Sequence, residues 1–137
     1  FIPNEELDKW TYLKGRKNLI KTSRTGHKYP YAEGHVTFPD ALNRASRTIV
    51  TGEGGKSPSR FKHVIKTKSG RLRRLTPYEL EKLNMFPGNL TKIDGVSDGR
   101  RAFFMGNALV VGVVEKIANA FLKKLDSFWV VRNDFVV

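Results

Sequence analysis

The chain has 137 residues, 39% of them hydrophobic and 28% charged, which is the size and composition of one globular domain and excludes a disordered or fibrous chain. It has no cysteine, which excludes disulfides, thiolate metal sites and a cysteine nucleophile from these residues; the three histidines, His27, His35 and His63, have no metal-ligand spacing, so no metal is expected. The net charge of +12 is uneven, with 17 Lys and Arg against 6 Asp and Glu in residues 1–75 and 8 against 7 in residues 76–137, so a polyanion such as nucleic acid is the expected partner of the first half.

Residues 1–46 sustain neither a 3.6 nor a 2.0 period and are read as loops and short strands. Aromatics stand among cations there (Trp10, Tyr12, Lys14, Arg16, Lys17, Lys21, Arg24, Lys28, Tyr29, Tyr31), broken by glycines and prolines. Such aromatics either stack on bases or sugars or form a local core, and the sequence leaves both open.

Ser46 to Thr51 is rich in β-branched residues and runs into Gly52-Glu53-Gly54-Gly55, which predicts a strand entering a turn, with a second strand at Phe61 to Lys66 closing a hairpin-like unit. The intervening Gly54-Gly55-Lys56-Ser57 is no P-loop, because the position that requires the first glycine is Val50. It reads instead as a cationic loop with hydroxyls and open amides, suited to a DNA backbone or groove.

Thr76-Pro77-Tyr78-Glu79 combines a threonine N-cap, proline at the first helical position and a glutamate able to reach back to the cap amide. With Leu75 and Leu80 as a hydrophobic staple, this predicts a helix from Pro77 to about Asn84 or Met85, ending before Pro87-Gly88. A polar connection follows, then Phe103-Phe104-Met105-Gly106-Asn107, then a helix predicted from Ala108 to Leu125. Its Leu109, Val110, Val113, Val114, Ile117, Phe121 and Leu125 form a wide apolar stripe that must be covered. Apolar runs such as Ala108 to Val114 fall far short of the ~20 residues of a membrane span, so no membrane is expected. The opening Phe-Ile-Pro-Asn-Glu has no methionine and no leader-like segment, as expected of a trimmed or excerpted chain.

The string Arg73-Arg74-Leu75-Thr76-Pro77-Tyr78-Glu79-Leu80, followed by Phe86-Pro87, resembles the ninth conserved motif of DNA (cytosine-5) methyltransferases. Gly106-Asn107-Ala108-Leu109-Val110-Val111 is similar to the tenth motif of that family, in the family's order and spacing. The resemblance covers about Gly34 to Leu125.

It implies an α/β fold, α+β-like as an isolated piece. Residues 1–70 would be a strand-containing target recognition region, and residues 71–137 would carry two helices that complete a Rossmann-like methyltransferase domain. It implies sequence-specific recognition of double-stranded DNA within an enzyme that moves a methyl group from S-adenosylmethionine to cytosine C5, as in a restriction-modification system of a bacterial or phage cytoplasm. Candidate DNA contacts are Arg44, Arg47, Arg60, Lys62 and His63, with Thr48 and Thr51 as shorter hydroxyl contacts, because arginine forks onto guanine and lysine meets phosphate as a point charge.

Arg73 matches the motif arginine that organises the recognition region, within a structural motif shared with Thr76, Glu79 and Gly106. Asn107 and Ala108 match positions beside the S-adenosylmethionine pocket, and Asn107 also reads as an N-cap of the following helix. The family's cofactor loop, Pro-Cys nucleophile and Glu-Asn-Val glutamate are absent from these residues. The chain alone is therefore expected to be inactive and to need a catalytic subunit or domain that carries the earlier motifs. The alternative is a non-enzymatic basic RNA-binding protein in which both motif matches are coincidental.

Overall fold

The computed structural model describes residues 1–133, so residues 134–137 of the expected helical region lie outside the described residues. A 3-10 turn, Asn4–Glu6, leads into α1 (Leu7–Lys14) and then an antiparallel hairpin of β1 (Lys17–Thr22) and β2 (Lys28–Glu33). A long irregular segment reaches the 3-10 turn Thr51–Gly54. A second hairpin, β3 (Val64–Lys66) with β4 (Leu72–Arg74), precedes α2 (Pro77–Leu83), α3 (Asp98–Asn107) and α4 (Val111–Asn133). The architecture is α+β, with small strand pairs in place of a continuous sheet.

The expected strand at Ser46–Thr51 does not form. The ladder position beside β3 is taken by β4, joined to it through a tight turn in which Gly70 adopts φ +82°. Released from pairing, the 46–51 segment runs as irregular chain that buries Ile49 in the core with Leu80, Ala102 and Met105. The predicted strand at Phe61–Lys66 contracts to Val64–Lys66.

The first half is more regular than its sequence suggests. Trp10 of α1 is buried against Ile2 and Val64 and is therefore core, whereas Tyr12 and Tyr29 remain exposed. The core alternative thus holds for Trp10 and not for Tyr12 or Tyr29.

The capping box of α2 forms as read. The Glu79 amide donates to Thr76 Oγ1 at 3.3 Å, the Thr76 amide donates to a Glu79 carboxylate oxygen at 2.8 Å, and Leu75 packs on the cluster that buries Leu80. The polar connection hides an unforeseen helix, α3, started by a Ser97 N-cap that accepts from the Arg100 amide at 3.3 Å. Extended backbone at Ala108 separates α3 from α4, so Asn107 ends α3 and is not the N-cap of the next helix.

Two glycines set the packing of α3. Gly99 and Gly106 are seven residues apart, on one face, and that face lies on the backbone of the 50–54 segment. A Cβ at Gly106 would stand 2.3 Å from the Thr51 nitrogen, and one at Gly54 would stand 2.1 Å from the Gly99 oxygen. Gly106 thus lets α3 approach the chain's own backbone closely.

Within Asp98–Leu125 an 18-residue window reaches a mean hydropathy of 1.3, long and apolar enough by length and composition alone to cross a membrane, which apolar run length did not signal. The extended Ala108 breaks it, and Glu115 and Lys116 interrupt its apolar residues. On α4, Val113, Val114, Ile117, Phe121 and Leu122 are all exposed, so the stripe that the sequence requires to be covered is left open by the described residues.

Candidate functional site

The cations of the first half divide into two groups: those spent holding the chain together and those left free. Arg47 belongs to the first. Its Nε and Nη2 donate to the two Asp40 carboxylate oxygens at 2.7 and 3.1 Å, and Nη1 and Nη2 donate to the carbonyls of Phe61 and Lys62 at 3.0 and 3.2 Å. Asp40 also accepts from the Val64 amide at 2.8 Å. Burial works to raise the Asp40 pKa, yet the Arg47 and Val64 hydrogen bonds bring it below the ordinary carboxylate range.

Lys62 is buried and donates to the carbonyls of Gly55 and Ser57, which folds the glycine-rich loop onto itself. Burial, with Arg74 nearby, lowers its pKa. His63 is buried with Glu53: its amide donates to Glu53 Oε1 at 2.7 Å, Nδ1 lies 3.1 Å from Oε2, and Nε2 lies 3.1 Å from the Ser46 hydroxyl. Lys14, one of the cations interleaved with aromatics and not among the candidate DNA contacts, is buried and donates to the Lys62 carbonyl; desolvation brings its pKa down to about 8.

Arg60 clamps the base of the β1–β2 hairpin. Its Nη1 meets Glu33 Oε2 at 3.3 Å and the carbonyls of Leu13 and Gly15 at 3.4 and 3.3 Å, while Nη2 donates to the Gly34 carbonyl. Lys17 completes the clamp, 2.7 Å from Glu33 Oε2 and 3.1 Å from the Leu13 carbonyl. The Lys17 and Tyr31 hydrogen bonds hold the Glu33 carboxyl down at about 2.

Arg44, Thr48 and Thr51, the remaining expected DNA contacts, are exposed. Arg44 and Arg47 border a cleft of about 240 Å³ that also touches His63, Ile65 and Leu83. Thr48 lies on a neighbouring cleft of about 470 Å³, whose far wall is Ala108, Leu109 and Val110. The structure therefore brings the 44–48 segment next to the chain that follows Asn107. Asn107 itself is exposed, and its Nδ2 donates to the Phe103 carbonyl at 3.1 Å.

The motif residues form one joint. Arg73 on β4 donates to both Glu79 oxygens at 2.7 Å, so β4 is locked to the first turn of α2, and this hydrogen bonding lowers the Glu79 pKa to about 2.

Behind the joint lies a polar cluster with no periodic signature in the sequence. Buried Glu81 accepts from buried Arg101 at 3.1 Å, from the Thr91 amide at 3.1 Å, and from the Thr91 hydroxyl and the Asn89 amide. Asn84 donates to the Met105 carbonyl at 2.9 Å, and its own carbonyl accepts from the Val111 amide at 2.9 Å, which fixes where α3 ends and α4 begins. The one available signal for these residues is their type: polar side chains on the inward face of a short helix.

Residues 2–123 match the family described as C-5 cytosine-specific DNA methylase. The chain is 40% identical over 133 residues to the type II methyltransferase M.Sau3AI of Staphylococcus aureus, an alignment that covers 97% of this chain. The chain spans 30% of that relative's length. No solved structure matches it significantly.

Proposed function

The chain belongs to the C-5 cytosine-specific DNA methylase family, and from that premise we propose that it is the duplex-DNA-recognising part of a cytosine-5 methyltransferase, acting with a catalytic part that carries the nucleophile. The observation that carries the reading is the pairing of a cysteine-free sequence with an open apolar face on α4. Attack on cytosine C6 requires a thiolate, which these residues do not have. An exposed row of Val113, Val114, Ile117 and Phe121 favours burial by about 25 cal/mol per Å² covered, so the face seeks the domain that owns the thiolate.

The division of labour follows from the charge map. The excess of 17 cations over 6 acids in residues 1–75 favours duplex DNA, whose phosphates release counterions when neutralised. The Arg73–Glu79 joint ties that cationic half to α2, and the Asn84 and Gly106 contacts tie α2 and the 50–54 segment to α3. DNA gripped by the first half is thereby held at a fixed angle to the face offered by α4. The same organisation suits a restriction-modification enzyme.

S-adenosylmethionine supplies the methyl group when bound. Its ammonium and ribose hydroxyls call for acceptors, and the cleft beside Ala108, Leu109 and Val110 is lined by no carboxylate. Ala108 lines this cleft and Asn107 adjoins it in sequence, so these residues would supply at most an apolar wall, and the polar contacts to the cofactor would come from the catalytic part.

Fluorescence anisotropy with duplex DNA and with a structured RNA of equal length separates this reading from a general RNA-binding protein. Tighter binding to the duplex, falling steeply with salt, is expected; tighter binding to the RNA overturns it.

A further inference from the structure

Arg47, Lys62, Lys14, Arg60 and Lys17 clamp the frame and leave open which element reads the DNA sequence, and the β1–β2 hairpin is an element left free for it. Its strands pair along their whole length, from Lys17↔Glu33 to Thr22↔Lys28, and among the described elements the hairpin packs on no other helix or strand. Ten of its twelve strand residues other than Lys17 and Tyr31 include only one further half-buried position, Glu33, at the clamped base. The tip, Ser23 to His27, satisfies its own polar groups: the Ser23 amide donates to the His27 carbonyl at 2.8 Å, the Gly26 amide to the Ser23 carbonyl at 3.0 Å, and the His27 amide to Ser23 Oγ at 3.1 Å. Gly26 takes φ +84° to close the turn.

Arg24, His27 and Lys28 are exposed, and none has a side-chain hydrogen bond or ion pair among the described residues. Lys21 beside them sits 3.2 Å over the Tyr31 ring. Arg47, Arg60 and Lys62, by contrast, have their donors engaged by the chain's own acceptors. A free arginine at the end of a ribbon whose base is fixed by the Glu33 clamp is a reading head on a rigid arm.

We propose that this hairpin enters the major groove of duplex DNA and that Arg24 at its tip is a base-reading, specificity-determining residue, with Lys21 and Lys28 on the flanking phosphates; the proposal rests on the DNA-recognition reading above. Dimensions select the groove. Six residues per strand make an arm of about 20 Å, and a two-stranded ribbon fits a major groove about 12 Å wide but not a minor groove of about 6 Å. Arg24 then presents the planar fork that pairs with guanine O6 and N7, which a lysine does not reproduce.

The test uses the full chain and a library of short random duplexes from which bound molecules are recovered and sequenced, followed by affinity and dimethyl sulfate protection on the selected duplex. Wild type is expected to select a guanine-containing word and to protect a guanine N7. Arg24→Ala is expected to lose that protection and about tenfold to a hundredfold in affinity for the selected word, while keeping its thermal unfolding midpoint because the tip packs on nothing. Arg24→Lys should keep non-selective affinity and still lose the preference. Selection by wild type with an unchanged footprint in Arg24→Ala, or protection confined to adenine N3 in the minor groove, overturns the hairpin assignment alone. Failure of wild type to prefer any duplex overturns the DNA-recognition reading together with it.

Discussion

Gly106 lies so close to Thr51 that a Cβ at position 106 would stand 2.3 Å from the Thr51 nitrogen, with the Val50 carbonyl carbon 2.4 Å away. The obstacle is backbone, which cannot swing aside as a flexible side chain would. Gly106→Ala is therefore expected to destabilise the fold by about 2 kcal/mol, at the cost range of overpacking, and to lower the unfolding midpoint in calorimetry. An unchanged midpoint would show that α3 and the 50–54 segment do not pack on bare backbone.

The Arg101–Glu81 pair is buried, and each partner satisfies the other. Arg101→Ala leaves the Glu81 carboxylate without its cation and is expected to cost about 3 kcal/mol in urea unfolding. Asp98→Ala, which removes the exposed end of the same network, should cost well under 1 kcal/mol. Equal effects of the two substitutions would contradict the assignment of the buried pair as the anchor.

How much of this was legible depends on whether the signal is local. The capping box Thr76–Glu79 and the staple of Leu75 and Leu80 lie within six residues, so α2 could be read directly. Ser46–Thr51 carries strand-like residues, but whether it pairs depends on what else reaches β3, and the Gly70 turn delivers β4 there first. The helix α3 was hidden because Gly99 and Gly106, which ordinarily lower helix propensity, are required by its packing on the 50–54 backbone. The cationic character of the front half was evident from composition. Which cations are free was not, because three of its six acids, Glu33, Asp40 and Glu53, capture partners 7 to 27 residues away in sequence.

The Arg73–Glu79 joint gives a pH dependence with a definite sign. A carboxyl held at about 2 against an ordinary 4.5 stabilises the fold fully above pH 4.5 and loses that contribution as the pH falls towards 2. Glu79→Gln is expected to lower stability at neutral pH by about 1 kcal/mol, the pair being partly exposed, and the gap between variant and wild type should narrow on acidification through this window. Urea unfolding at several pH values measures it; a gap independent of pH would remove the ionic joint.

Arg60 governs the arm rather than the fold. Arg60→Ala removes the clamp on Glu33, Leu13 and Gly15, so amide exchange in β1 and β2 should quicken by about tenfold while the amides of Val64 and Leu80 are unaffected. Because Arg60 steadies the arm and its donors are engaged within the chain, its loss should weaken binding to the selected duplex more than to other sequences.

The central claim is that this chain supplies DNA recognition to a catalytic part. Methyl transfer from labelled S-adenosylmethionine to duplex DNA, measured for a chimera of the Staphylococcus aureus relative in which the matching segment is replaced by this chain, tests it most directly. The account predicts that the chimera methylates duplex DNA and that the chain alone does not. A chimera that folds and binds S-adenosylmethionine yet labels no duplex would contradict it.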